Sequence, residues 1–183
     1  MTIDVNTWIG GYPFRDVPHP DPDVLVRVLE REGVQGAWVG HLPSAFWRDP
    51  STGNDLLFKA LERWTNVLRA VPCVRPDWPQ WERSLQAVAE HGAPAIRAYP
   101  PQWGLAPQDP QLLDLAVACG ELGLVLVLTT RFEDARQRHW MDLSGDLPGA
   151  AVRSIARASD RVHVVVCAAG RALVEEVHWG LTP

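Results

Sequence analysis

Residues 3–9, "IDVNTWI", alternate apolar and polar side chains and stop at the pair Gly10–Gly11. A period of two describes a strand whose side chains point to opposite faces in turn, so Asp4, Asn6 and Trp8 are expected on one face. The next stretch, "PDVLVRVLEREG", changes to a helical period, with Val24, Val28 and Leu29 on one side and Gly33 as its stop.

The same change of period recurs along the chain. "VQGAWVGHL" reads as a strand and "GNDLLFKALERW" as a helix; "TNVLRAVPCVRP" is followed by "WPQWERSLQAVAEHG", where Pro79 suits a first helical turn. "APAIRAYP" precedes the helix "DPQLLDLAVACGELG", with Asp109 as N-cap and Gly123 as terminator. "LVLVLTTRF" is a nearly unbroken aliphatic run, as expected of a strand covered on both faces. "PGAAVRSIARASD", "RVHVVVCAAG" and "RALVEEVHWG" add a helix, a strand and a helix.

Six strand–helix units at spacings of roughly 30 residues predict parallel strands joined by right-handed crossovers. An open doubly wound sheet and a closed eight-stranded barrel both use this plan, and both place function at the carboxyl ends of the strands. No Gly-rich phosphate loop follows the first strand, which speaks against a nucleotide-binding sheet.

Composition narrows the partners. The net charge is −5, with no concentrated basic surface, which argues against nucleic acid. No apolar run of about 18 residues predicts a membrane span, and "MTIDVNTW" lacks the pattern of a secretion signal. Three widely spaced cysteines, Cys73, Cys119 and Cys167, fit reduced, buried thiols in a cytoplasmic protein. The chain, residues 1–183, is expected to form one domain.

Polar and aromatic groups collect where the strands end: "GGYPFR", His41 with "PSAFWRD", Arg75 and Asp77, Arg97 and Tyr99 with "PPQWG", and "RFEDARQRHWM". On the first, fourth and fifth strand ends the sequence resembles the amidohydrolase-related group of TIM-barrel metal-dependent hydrolases, which also includes decarboxylases. That resemblance implies an α/β fold of TIM-barrel type, with about six of eight units present and the chain truncated at its C-terminus. Alternatives are a sheet closed by a second copy, making a homo-oligomer, or a sheet left open.

The resemblance also implies a divalent metal such as zinc, held by an Asp-x-His-x-His strand and by later histidines. Here the alternate positions are Asn6 and Trp8, and the later strand ends offer Thr129, Thr130 and Cys167. An indole has only an N–H to donate and an amide oxygen is a weak neutral ligand, so no cofactor and no metal ligand is expected.

In the remaining chemistry, Arg131 and Arg136 read as a clamp for a carboxylate or phosphate, with Glu133 or Asp134 as general base. The bland reading of the same stretch is a solvated cluster of ion pairs. Asp4 is a third acid/base candidate and the expected partner of a buried Arg97. Asn6, Trp8, His41, Arg97 and Tyr99 complete the substrate-binding candidates, with His41 more simply a structural histidine. His19 reads as a loop residue and His91 as a helix-end cation. Trp8, Tyr12, Phe14, Phe46, Trp47, Tyr99 and Trp103 form either a stacking pocket or a plug. The function expected from the resemblance is hydrolysis or decarboxylation of a small carboxylated or cyclic molecule. The alternative is a non-catalytic binding or scaffold protein that keeps the fold.

Overall fold

A computed structural model describes residues 2–18, 21–142 and 144–181; His19 lies outside them. Each predicted strand and helix forms. Strands β1 (Ile3–Ile9), β2 (Gly36–His41), β3 (Leu68–Ala70), β4 (Ala95–Ala98), β5 (Val125–Thr129) and β6 (His163–Cys167) alternate with helices α1 (Pro22–Arg31), α2 (Ser51–Leu61), α3 (Trp81–Glu90), α5 (Pro110–Leu122), α6 (Gly149–Ala156) and α7 (Arg171–Leu181). A short α4 (Pro100–Trp103) had no counterpart in the sequence reading. Proline at the start of a helix loses no hydrogen bond, so the pair Pro100–Pro101 opens a turn of helix where the sequence indicated a strand end.

Capping explains several of the boundaries. Asp21 accepts the backbone N–H groups of Asp23 and Val24, and Asp109 accepts that of Gln111, each just ahead of a proline-led helix. Gly123 closes α5 at φ 68°, a left-handed conformation that costs glycine little. The buried stripe of α1 is Leu25, Val26 and Leu29, while Val24 and Val28 are only partly covered, a rotation of the expected face.

The strands form two parallel three-stranded sheets, β1-β2-β3 and β4-β5-β6. They are joined where Arg97 N–H donates to Pro72 O at 2.8 Å and Cys73 bridges to Arg97. Two aliphatic clusters lie between sheet and helices. Ala37, Val39 and Leu68 pack on Leu25, Leu29 and Leu57, and Ile96, Ala98, Leu126 and Leu128 pack on Leu85, Leu112, Leu115 and Ile155. A third cluster, Val71, Ala95, Val127 and Cys167 with Trp38 and Val165, draws residues from both sheets onto one inner face. Among the described residues β1 pairs only with β2 and β6 only with β5. Helix α7, behind β6, has no buried residue, and Trp179 is 75% exposed.

One irregularity positions the site. Asp4 pairs with Ala37 and Thr7 with Val39, so β1 carries one more residue than β2 across this step, a bulge. The alternation resets there. Asp4 is opposite Ala37, a residue of an outer cluster, while Trp8 is opposite Gly40 with its indole against that glycine.

Candidate active site

Alternation places Arg97 on the inner face, between Ile96 and Ala98, which both belong to the outer cluster. Its side chain has no solvent exposure. Nη2 donates to Val5 O at 2.8 Å and Nη1 to Asn6 Oδ1 at 3.1 Å. The guanidinium carbon lies 4.6 Å from the centre of the Trp8 ring, a cation–π stack. Nε has no hydrogen-bond partner. On β5, Thr129 is buried on the same inner face and its Oγ1 is also unpartnered. Burial pushes the Cys167 thiol up, an effect that the adjacent Arg97 opposes.

The expected Arg97–Asp4 pair does not form. At the bulge the Asp4 carboxylate accepts the N–H of Asn6 at 2.8 Å, and the Val5 carbonyl reaches Arg97 instead. Asp4 is still close enough to raise the Cys167 thiol. No ion pair of the described residues includes Arg97.

Above this centre the aromatic residues interlock. Trp8 Nε1–H donates to Tyr99 OH at 3.1 Å. Phe132 stacks on Tyr99 with ring centres 5.2 Å apart and also meets Trp8, Tyr12 and Phe46. Phe14 continues the network to Tyr12, Phe46 and His139. Burial and the nearby Glu133 and Asp142 carboxylates raise the Tyr12 phenol well above its ordinary value. Outside the rings, a depression of about 320 Å³ is lined by Gly11, Tyr12, Pro13, Pro43, Phe46 and Trp47. Phe132, at the centre of the network, was not singled out in the sequence; its signal was an aromatic residue just past the end of an apolar strand.

Glu133 is buried and held by Arg15 Nη2 at 2.8 Å, and it accepts the N–H of His139. Asp134 and Arg136 form a pair of their own at 2.9 Å, with the Arg136 side chain 88% exposed, and this pairing holds the Asp134 carboxyl well below its usual range. Arg131 turns the other way, to Asp146 at 3.3 Å, an aspartate that Arg138 also contacts. Arg131 and Arg136 therefore do not converge on one anion, and this part of the stretch follows the ion-pair reading.

His41 ends β2 with Nδ1 2.8 Å from Ser44 Oγ and its ring edge-on to Trp47. Burial lowers its pKa. Ser44 is wholly buried, and Gly53 of α2 packs so closely on the pair that a β-carbon there would collide with Ser44 Oγ. The pair is a packing joint between the end of β2 and α2.

Neither a protein-family profile nor a curated protein sequence matches the chain. Solved structures do. A 2,6-dihydroxybenzoate decarboxylase from Rhizobium is 12% identical, with a TM-score of 0.65 over 90% of this chain and 65% of that one. A dihydroxybenzoic acid decarboxylase from Polaromonas, solved with bound manganese and the inhibitor 2-nitroresorcinol, is 13% identical, with a TM-score of 0.61 over 90% and 64%. An amidohydrolase from Mycobacterium avium subsp. paratuberculosis is 12% identical, with a TM-score of 0.58 over 86% and 50%. The chain thus spans about two thirds or less of the length of these structures.

The inner face of this chain does not fit such a metal. Asn6 Oδ1 is occupied by Arg97, the Trp8 N–H is a donor already given to Tyr99, and the group at the centre is itself a cation. Among the described residues no group of three or more His, Cys, Asp or Glu side chains could hold a metal ion. What this chain shares with the amidohydrolase-related enzymes is their fold, which it follows across almost all of its own length.

Proposed function

We propose that the protein is an amidohydrolase-like hydrolase or decarboxylase acting on a small carboxylated organic molecule, and that its six strand–helix units are part of an eight-stranded barrel. The observation that carries this reading is Arg97. A wholly buried guanidinium normally faces a carboxylate, because an unpaired charge inside a protein is costly. Arg97 has only neutral partners and its Nε has none, so it is a ready receptor for a ligand's carboxylate. The rings of Tyr99, Phe132 and Trp8 beside it would stack on a flat body. The fold shared with two dihydroxybenzoate decarboxylases supports the same class of ligand.

The indole of Trp8 covers the guanidinium, and its swing would admit a ligand. That movement breaks one neutral hydrogen bond, worth about 1 kcal/mol, and a cation–π stack worth up to about 2 kcal/mol when desolvated. Both are replaced when a carboxylate arrives.

The second reading, a binding protein without turnover, is favoured by the state of the acids. Glu133 is held by Arg15, Asp134 by Arg136, and Asp4 accepts the N–H of Asn6, and none of the three forms an ion pair with Arg97 at the centre of the site. We place the protein in the cytoplasm on its three free, buried cysteines. No helix of the described residues is long and apolar enough to cross a membrane.

A panel of benzoates, hydroxybenzoates and small aliphatic acids, scored by melting temperature and by carbon dioxide release, tests both readings. A carboxylate that raises the melting temperature of the native protein and not of Arg97→Met is expected. Turnover of that ligand selects the enzyme and its absence the binding protein. If no acid shifts the melting temperature, both fail.

A further inference from the structure

The acceptors on the inner face form a cage around a positive charge, and that charge is already covalently in place. Val5 O, Asn6 Oδ1 and the face of the Trp8 ring all turn electron density toward the Arg97 guanidinium. We propose that Arg97 is the resident cation of this site, a fixed single positive charge on the inner face of a fold that in the Polaromonas structure was solved with bound manganese, and that the centre operates without a divalent metal.

Three observations bear on this. First, the cage contains no anionic donor: Val5 and Asn6 offer neutral oxygens, and Asp4 is bonded to the backbone of Asn6. Neutral oxygens and a ring face suit a singly charged, weakly hydrated guanidinium and are a poor set for an ion that must shed tightly held water. Second, the guanidinium is wholly buried, so a divalent ion brought beside it would be repelled with little screening by solvent. Third, both unused groups can donate. Arg97 Nε lacks a partner, and so does Thr129 Oγ1, two residues beyond Val127, the strand partner of Arg97 on β5. Donors left over around a cation call for an anionic oxygen, and a monoanionic carboxylate answers both.

The carboxylate part of this inference rests on the proposed function, while the replacement of the metal does not. The test separates them. Protein purified from cells grown with added manganese, zinc and iron should carry far less than one metal per chain by mass spectrometry, and manganese or zinc chloride should leave its melting temperature unchanged. Stoichiometric metal whose removal by EDTA lowers the melting temperature would overturn the inference, whatever the benzoate panel shows.

Substitution supplies the positive arm. Arg97→Ala empties the cage, and millimolar guanidinium chloride, far below its denaturing range, should raise the melting temperature of this variant and not of the native protein, with urea as the neutral control. An identical response of variant and native protein would count against a cation cage. Should Arg97→Ala fail to fold, Arg97→Lys and Arg97→Met decide: lysine keeps the charge and should retain more of the native melting temperature. Methionine equal to or better than lysine would mean that the site needs volume and not charge, and would sink the proposal.

Discussion

In the β4-β5-β6 sheet, β4 and β5 are almost wholly buried on both faces, and the two faces are chemically opposite. On the outer face Ile96, Leu126 and Leu128 meet the side chains of α3, α5 and α6 in an aliphatic cluster. On the inner face the same strands present Arg97, Thr129 and Cys167 beside Ala95 and Val127. Ile96 and Arg97 are neighbours with no solvent exposure, yet one is core and the other carries an uncompensated charge. Burial by itself does not separate a core from a site; the polarity of what is buried, and whether its atoms are paired, does.

The contrast can be broken from either side. Leu128→Ala, which opens a cavity in the outer cluster, should have the largest effect, a loss of about 3 kcal/mol in chemical denaturation. Arg97→Met on the inner face should cost less, about 2 kcal/mol, because it strands Val5 O and Asn6 Oδ1 while removing a buried charge. That variant should lose all response to carboxylates, whereas Leu128→Ala should keep it once folded. Glu133→Gln should be milder again, about 1 kcal/mol, since the Arg15 it releases is mostly exposed.

His41 gives a smaller, pH-dependent term. Its folded-state pKa lies below the unfolded value of about 6.5, so the unfolded chain takes up its proton first as pH falls. The contribution of neutral His41 is complete above about pH 6.5 and declines as pH drops below that value, by less than about 1.4 kcal/mol per pH unit. Melting curves from pH 8 to 5 should show a shallower acid limb for His41→Gln; an unchanged limb would refute this assignment. Least of all, Asp134→Asn, at an exposed pair, should change neither the melting temperature nor carboxylate binding.

The strands and helices were legible because their periods are clean: "LVLVLTTRF" and "PQLLDLAVACGEL" leave little choice. The burial of Arg97 was legible too, since it alternates with Tyr99 across an apolar strand. Its partners were not. The bulge between Asp4 and Thr7 inserts one residue with no glycine to announce it, and that slip exchanges a carboxylate for a carbonyl. The Arg131–His139 stretch hid its main contribution for a related reason. Its charges drew attention, but they neutralise one another or their near neighbours, while Phe132 among them organises the rings.

The one-sided pairing of β6 bears on how the protein can be handled. Its run "HVVVC" is apolar, β-branched and free of proline and of acidic or basic charge apart from the terminal histidine, and one of its two backbone ladders faces no strand among the described residues. A strand of that composition with a bare edge is a template for another chain. Aggregation that starts at β6 should therefore rise with concentration, and His163→Lys, at the exposed end of this edge, should lower it in light scattering without touching the inner cluster that holds Val165.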